Sequence, residues 1–126
     1  MRKIKFRGRD GDDWYYGSLY VNSAEQTAIC APKSWWMKPV KSETVGQYTG
    51  LKDSTGKEIY EGDILKLPDA LGSDAFLGVE WNGFLGAFQV CCQDVRGALS
   101  FVLALSCTVI GNVYDTPELL EVKEDA

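Results

Sequence analysis

The sequence predicts an all-β fold, and three observations carry that prediction. Lys3–Arg9 alternates charged residues with Ile4, Phe6 and Gly8, a period of two. The later apolar runs, such as Phe76–Trp81 and Ala87–Cys92, are short and bounded by clusters of glycine and turn-forming residues. The composition, 45% hydrophobic and 25% charged over 126 residues, is that of an ordinary globular chain. A chain of this size buries about two-thirds of the surface its unfolded form exposes, so it needs neither metal nor disulfide for a core.

The first element is the strand in Lys3–Arg9, with Ile4 and Phe6 facing inward and Lys3, Lys5, Arg7 and Arg9 forming a basic stripe on the solvent side. Asp10-Gly11-Asp12-Asp13 reads as a turn, because glycine supplies positive φ and aspartate bonds the local backbone. Trp14–Val21 resumes the strand pattern and completes a hairpin. Asn22–Ser42 has no clean period and reads as a connector with one short strand, Thr27–Ala31. Its adjacent Trp35 and Trp36 cannot share one face of an extended segment, so one of them is expected to be accessible to a partner.

Thr44–Leu67 follows, punctuated by Gly46, Gly50, Gly56 and Gly62. Lys52–Lys57 has the composition of a surface turn. Gly62-Asp63 ahead of Ile64-Leu65-Lys66-Leu67 is similar to the entry into the first strand of small open barrels, where aspartate bonds the turn backbone. Strands are expected at Phe76–Trp81 and Ala87–Cys92, on either side of the turn Asn82-Gly83-Phe84-Leu85-Gly86. Leu99–Ile110 reads as one long strand or two, with alternate residues from Leu99 to Val109 on one face. Thr116-Pro117-Glu118 can start a short terminal helix, since proline suits the first turn. The chain is expected to be a single domain, with residues 1–43 as hairpin and connector and residues 44–126 as its core.

Several chemistries are excluded. The chain has no histidine, which removes Ser-His-Asp and Cys-His catalysis and His-ligated zinc. Cys30, Cys91, Cys92 and Cys107 lack the spacing of a zinc knuckle and read as structural thiols in a reducing compartment. Gly50–Glu58 fails as a phosphate loop, because Glu58 stands where Ser or Thr would hold magnesium. Asp10, Asp12 and Asp13, like Glu61 and Asp63, are expected to be solvated turn residues. A carboxylate-metal hydrolase built on Glu61, Asp63 and Glu80 is the minor alternative. No catalytic, metal or cofactor residue is assigned.

Charge argues against polyanions. The net charge is −5, yet Met1–Asp10 carries a local +4. Most of the surface would therefore repel nucleic acid, and single-strand binding by the basic stripe is the alternative rather than the leading reading. The longest apolar-rich run, Leu99–Ile110, is too short to span a bilayer as a helix, and no secretory leader follows the basic start. A cytoplasmic location follows.

Three ordered blocks resemble the YopX family of phage and prophage proteins. Arg2-Lys3-Ile4-Lys5-Phe6-Arg7 and Trp14–Gly17 open the likeness. It is strongest at Thr44–Asp53 and Gly56–Asp63, and closes with Val109–Tyr114 and Pro117-Glu118-Leu119-Leu120. Between them, Gly78-Val79-Glu80-Trp81 and Phe84 match loosely. The resemblance implies an all-β fold with a small barrel core decorated by further hairpin and loop segments, and a bacteriophage origin. It implies no catalytic residue.

The aromatic residues, Trp14, Tyr15, Tyr16, Tyr20, Trp35, Trp36, Tyr48, Tyr60 and Trp81, exceed what one small barrel encloses. Tyrosine and tryptophan favour half-wet interfaces. The sequence therefore predicts a binding protein that self-associates or takes a host or phage protein as partner. Its candidate surface is Lys3, Lys5, Arg7, Arg9, Trp35, Trp36, Tyr48 and Tyr60.

Overall fold

An antiparallel hairpin opens the chain: β1 (Phe6–Asp10) pairs with β2 (Asp13–Val21), Asp10 opposite Asp13. Two residues make its turn, and Gly11 adopts φ +63, as a tight hairpin requires. The structure is a computed structural model that describes residues 2–31, 36–70, 72–92 and 95–120. The chain divides into two compact units, Met1–Gly50 and Leu51–Ala126.

In the first unit β3 (Thr27–Cys30) pairs with β2, and β4 (Met37–Pro39) pairs with β3. The long β5 (Lys41–Lys52) lies on the other side of β1. The sheet order is β4-β3-β2-β1-β5, and β6 (Glu58–Tyr60) follows in the second unit. Ile29 is fully buried, and Ala28 and Tyr48 nearly so. Gly17 permits the approach of β3: a Cβ there would lie 2.0 Å from the Cys30 carbonyl oxygen.

Ile4 lies ahead of β1 and is 59% exposed, so the inward-facing set begins at Phe6 and not, as expected, at Ile4. Arg7 departs further from expectation. It is buried, with its guanidinium 4.7 Å from the Trp14 ring centroid.

The second unit is a five-stranded antiparallel sheet. Its strands are β7 (Asp63–Ala70), β8 (Ser73–Asn82), β9 (Ala87–Cys92), β10 (Val95–Ala98) and β11 (Thr108–Asn112), in the order β10-β9-β8-β7-β11. Leu65 faces Leu77 and Val79 faces Val90, and these side chains share one core with Ile59, Ala104, Cys107 and Val109. Burying each large apolar side chain contributes about 1.5–3 kcal/mol.

The all-β expectation holds, but the expected barrel does not. Among the described residues both sheets are open, each with two edge strands. Leu99–Ile110, expected as strand, also departs from expectation. Phe101–Ser106 is instead a short helix, α1, capped by the Ser100 hydroxyl, which accepts the Leu103 N–H at 3.1 Å. Alternate apolar residues fit a strand, but Leu99, Leu103, Ala104 and Cys107 also line one helical face, and that face packs on the core. Only Thr108–Asn112 remains as strand, and it reaches β7 alone. The expected terminal helix is present as a 3-10 helix, Pro117–Leu120.

Two carboxylates expected in solvated turns are interior. Asp63 is buried and accepts the Tyr60 N–H at 2.7 Å, fixing the turn before β7. Asp53, also buried, ties the 53–57 turn to β11. Its Oδ1 accepts from Thr55 N, Thr55 Oγ1 and Lys57 N, and its Oδ2 accepts from Val109 N at 2.8 Å. Burial alone would raise its pKa. The bonds from Val109, the Thr55 hydroxyl, Lys57 and the Thr55 N–H outweigh burial and hold the carboxyl below the ordinary value.

Candidate functional site

The residues proposed from sequence do not form one surface. Lys3 is exposed, and the Lys5 ammonium lies 5.7 Å from the Tyr48 ring centroid. Arg7, Tyr48 and Tyr60 are buried and leave the candidate surface, because a buried ring or guanidinium cannot meet a partner. Arg9 is turned onto its own hairpin, where Nε donates to the Gly11 carbonyl and Nη2 to Asp12 at 3.3 Å. Trp36 is 38% exposed and packs against Tyr15 with centroids 5.3 Å apart, while Trp35 lies outside the described residues. The basic stripe is thus broken at its centre by burial.

A different surface emerges in the second unit. The turn between β8 and β9 carries Phe84, fully exposed at 100%, and Leu85 at 72%. Trp81 and Phe88, directly opposite across the two strands, meet edge to face with centroids 5.0 Å apart. The Leu99 N–H donates to the Phe88 carbonyl, which brings the chain entering α1 alongside that pair. From α1, Phe101, Val102 and Leu105 project outward and are exposed. The second unit therefore exposes large apolar side chains both on the β8–β9 turn and on α1.

Polar residues hold the turn in place. Asn82 Oδ1 accepts from Phe84 N at 3.0 Å and Leu85 N at 3.1 Å, and its carbonyl accepts from Gly86 N. Asn82 Nδ2 donates to Gln89 Oε1 at 2.9 Å, Gln89 Nε2 donates to Glu80 Oε1, and Arg96 Nε donates to the same oxygen at 3.1 Å. This relay runs across β8, β9 and β10 on the face opposite the core. It orients the amide that bonds the backbone of Phe84 and Leu85, so the apolar tip is displayed by a braced turn. A cavity of about 330 Å³ lies beside it, lined by Leu85, Gln89 and Arg96 among others.

Glu80 also borders a second cavity of about 270 Å³, with Glu61, Cys91 and Tyr114. Burial, followed by the charge of Glu80, pushes the Cys91 thiol above its ordinary value, and burial does the same for Cys107. Both thiols stay protonated at neutral pH, which disfavours them as nucleophiles or metal ligands. Glu61, Asp63 and Glu80 form no shared site: Asp63 is spent on the Tyr60 backbone, and Glu80 on Gln89 and Arg96. Among the described residues no three carboxylates or thiols converge where a cation could be held. No helix of the described residues is long and apolar enough to cross a membrane.

Sequence reasoning placed a turn at Asn82–Gly86 but assigned it no role. The available signal was Phe84-Leu85 inside a turn, where water-facing positions usually carry polar residues. The α1 residues were hidden by their strand-like alternation.

The fold is that of a small, nearly all-β protein with two open antiparallel sheets among the described residues. The chain belongs to the YopX family (YopX protein), which matches residues 5–121. Among solved structures it is similar to protein EF1440 from Enterococcus faecalis, with 23% sequence identity and a TM-score of 0.65. That match covers 96% of this chain and 100% of the other. At this identity the likeness shows the fold alone. No curated protein sequence matches the chain.

Proposed function

We propose that this YopX family member is a phage or prophage accessory protein. In this reading it acts by binding protein, another copy of itself or a host partner, in the cytoplasm of a bacterium. The observation that carries the reading is the exposure of Trp81, Phe84, Leu85, Phe101, Val102 and Leu105, all in the second unit. Burying aromatic and aliphatic anchors of this kind supplies most of the energy of a typical interface. The Asn82 bonds support it further, because a braced turn loses little entropy on docking.

The test is sedimentation of the wild type and of Phe84→Ser/Leu85→Ser from 1 to about 200 micromolar, a range set by weak to moderate contacts. A nuclease-treated pull-down from a host lysate follows, using both proteins. The reading expects a wild-type dimer or a retained protein partner that the double variant loses while its folded spectrum persists. A monomeric wild type whose captured proteins are unchanged in the variant would overturn it.

A further inference from the structure

A cavity of about 470 Å³ lies in the first unit. Its lining includes Tyr20, Asn22, Glu25, Met37, Pro39 and Val40. That volume is within the range of small-molecule sites, roughly 300–1,000 Å³. The lining is mixed: aromatic, thioether and aliphatic residues together with Asn22, Gln26 and Glu25.

Glu25 is the one charged side chain of that lining. Its φ of 62° is the single left-handed value among the described non-glycine residues, a conformation that an ordinary side chain adopts only when its surroundings impose it. Asn22 does so. Its Oδ1 accepts from Ala24 N at 2.9 Å and Gln26 N at 3.0 Å, and its Nδ2 donates to Gln26 Oε1 at 2.8 Å. Its own N–H and carbonyl bond Gln26 and Glu25. The loop is thus built around one amide, and it fixes the Glu25 backbone at the cavity edge. Among the described residues the Glu25 carboxylate engages no hydrogen bond and no ion pair.

No cation competes for it from within the cavity. Lys38 and Lys41 neighbour lining residues in sequence, but strand alternation sends them to the face opposite Met37, Pro39 and Ser42. Lys38 is also held by Asp10 at 3.2 Å and lies over the Tyr15 ring. The half-exposed Tyr20 ring offers a face to positive charge, and Met37 adapts to varied apolar shapes.

We propose that this cavity binds an organic cation, an ammonium or guanidinium group on an apolar stem, with Glu25 as its counter-ion. The stem lies along Met37, Pro39 and Val40, and the charged head is placed between Glu25 and Tyr20. The head group belongs either to a free amine or to an arginine or lysine side chain of a peptide. Residues 1–50 carry more basic than acidic side chains, so the attraction for a cation rests on Glu25 itself.

The experiment titrates the full-length, isotope-labelled protein with agmatine, with acetyl-Gly-Arg-Gly-amide, and with the same peptide carrying citrulline, a neutral isostere of arginine. Saturable shifts of the Tyr20, Glu25 and Gln26 amides and the Met37 methyl are expected with at least one cationic probe. Glu25→Gln is expected to weaken that binding by about two- to fivefold, the size of an exposed ion pair. The citrulline peptide should be weakened to a similar extent against wild type. Tyr20→Leu, with the loop and Glu25 intact, should weaken the cationic probes more than the neutral one. Tighter binding of agmatine assigns free amines, and tighter binding of the arginine peptide assigns a peptide source. Absence of saturable shifts at millimolar concentration overturns the proposal. So does equal binding of the citrulline peptide with an unchanged affinity in Glu25→Gln.

Discussion

Asp53→Ala should destabilise the second unit by about 3 kcal/mol at pH 7. The figure follows from what the carboxylate bonds. Thr55 and Lys57 lie in an exposed turn where water replaces the lost acceptor, so their bonds contribute about 0.5–1 kcal/mol each. The Val109 N–H is different, because it is buried and bonded to Oδ2 at 2.8 Å. Left unsatisfied, such a donor costs about 1–3 kcal/mol. Asp53→Asn restores one acceptor but turns an amide donor toward one of these N–H groups, so it should recover little.

The pH dependence has a definite sign. The folded carboxyl titrates below its ordinary value of 3.8, so its stabilisation is complete above that pH. It is lost as pH falls through the lower folded value. Urea denaturation at pH 7 and at low pH, with amide exchange at Val109 as a local probe, measures both effects. The gap between wild type and Asp53→Ala should narrow as the solution is acidified. A loss under about 1 kcal/mol at pH 7, below the cost of one orphaned buried donor, would refute the reasoning. So would a gap that does not change with pH.

Three further outcomes are expected. Gly17→Ala should cost about 3 kcal/mol or prevent β2 and β3 from pairing, since its Cβ meets the rigid Cys30 carbonyl; thermal unfolding measures this. Asn82→Ala should lower stability by about 1 kcal/mol, typical of a lost turn-bonding side chain, and should weaken any association that depends on Phe84 and Leu85. Iodoacetamide should modify Cys107 and Cys91 more slowly at pH 7.5 than an unstructured cysteine peptide, and faster as pH rises; peptide mass spectrometry reads each site.

Much of the local architecture could be read from the chain. Asp10-Gly11-Asp12-Asp13 gives the first hairpin, Thr27–Cys30 a short strand, and Asn82–Gly86 the turn between β8 and β9. These follow from glycine and asparagine conformations and from a period of two, both of which act between near neighbours in sequence. Gly62-Asp63 was also legible as a backbone-bonding turn, although the burial of Asp63 was not. The family likeness was carried by the same turn blocks.

What the chain alone determined was therefore its β character, its turns and its family. Tertiary structure decided the rest. Leu99–Ile110 satisfies strand and helix patterns alike, and only packing against Leu65, Leu77 and Val90 selects a helix for its first half. Arg7 alternates as a solvent residue should, yet the Trp14 ring lies within reach of its guanidinium, and the residue is buried. Tyr48 and Tyr60 looked like interface aromatics and became core. The exposure of Phe84 and Phe101, like the cavity lined by Tyr20, Glu25 and Met37, is a property of the folded chain. Both depend on burial and strand order, and no local pattern records them.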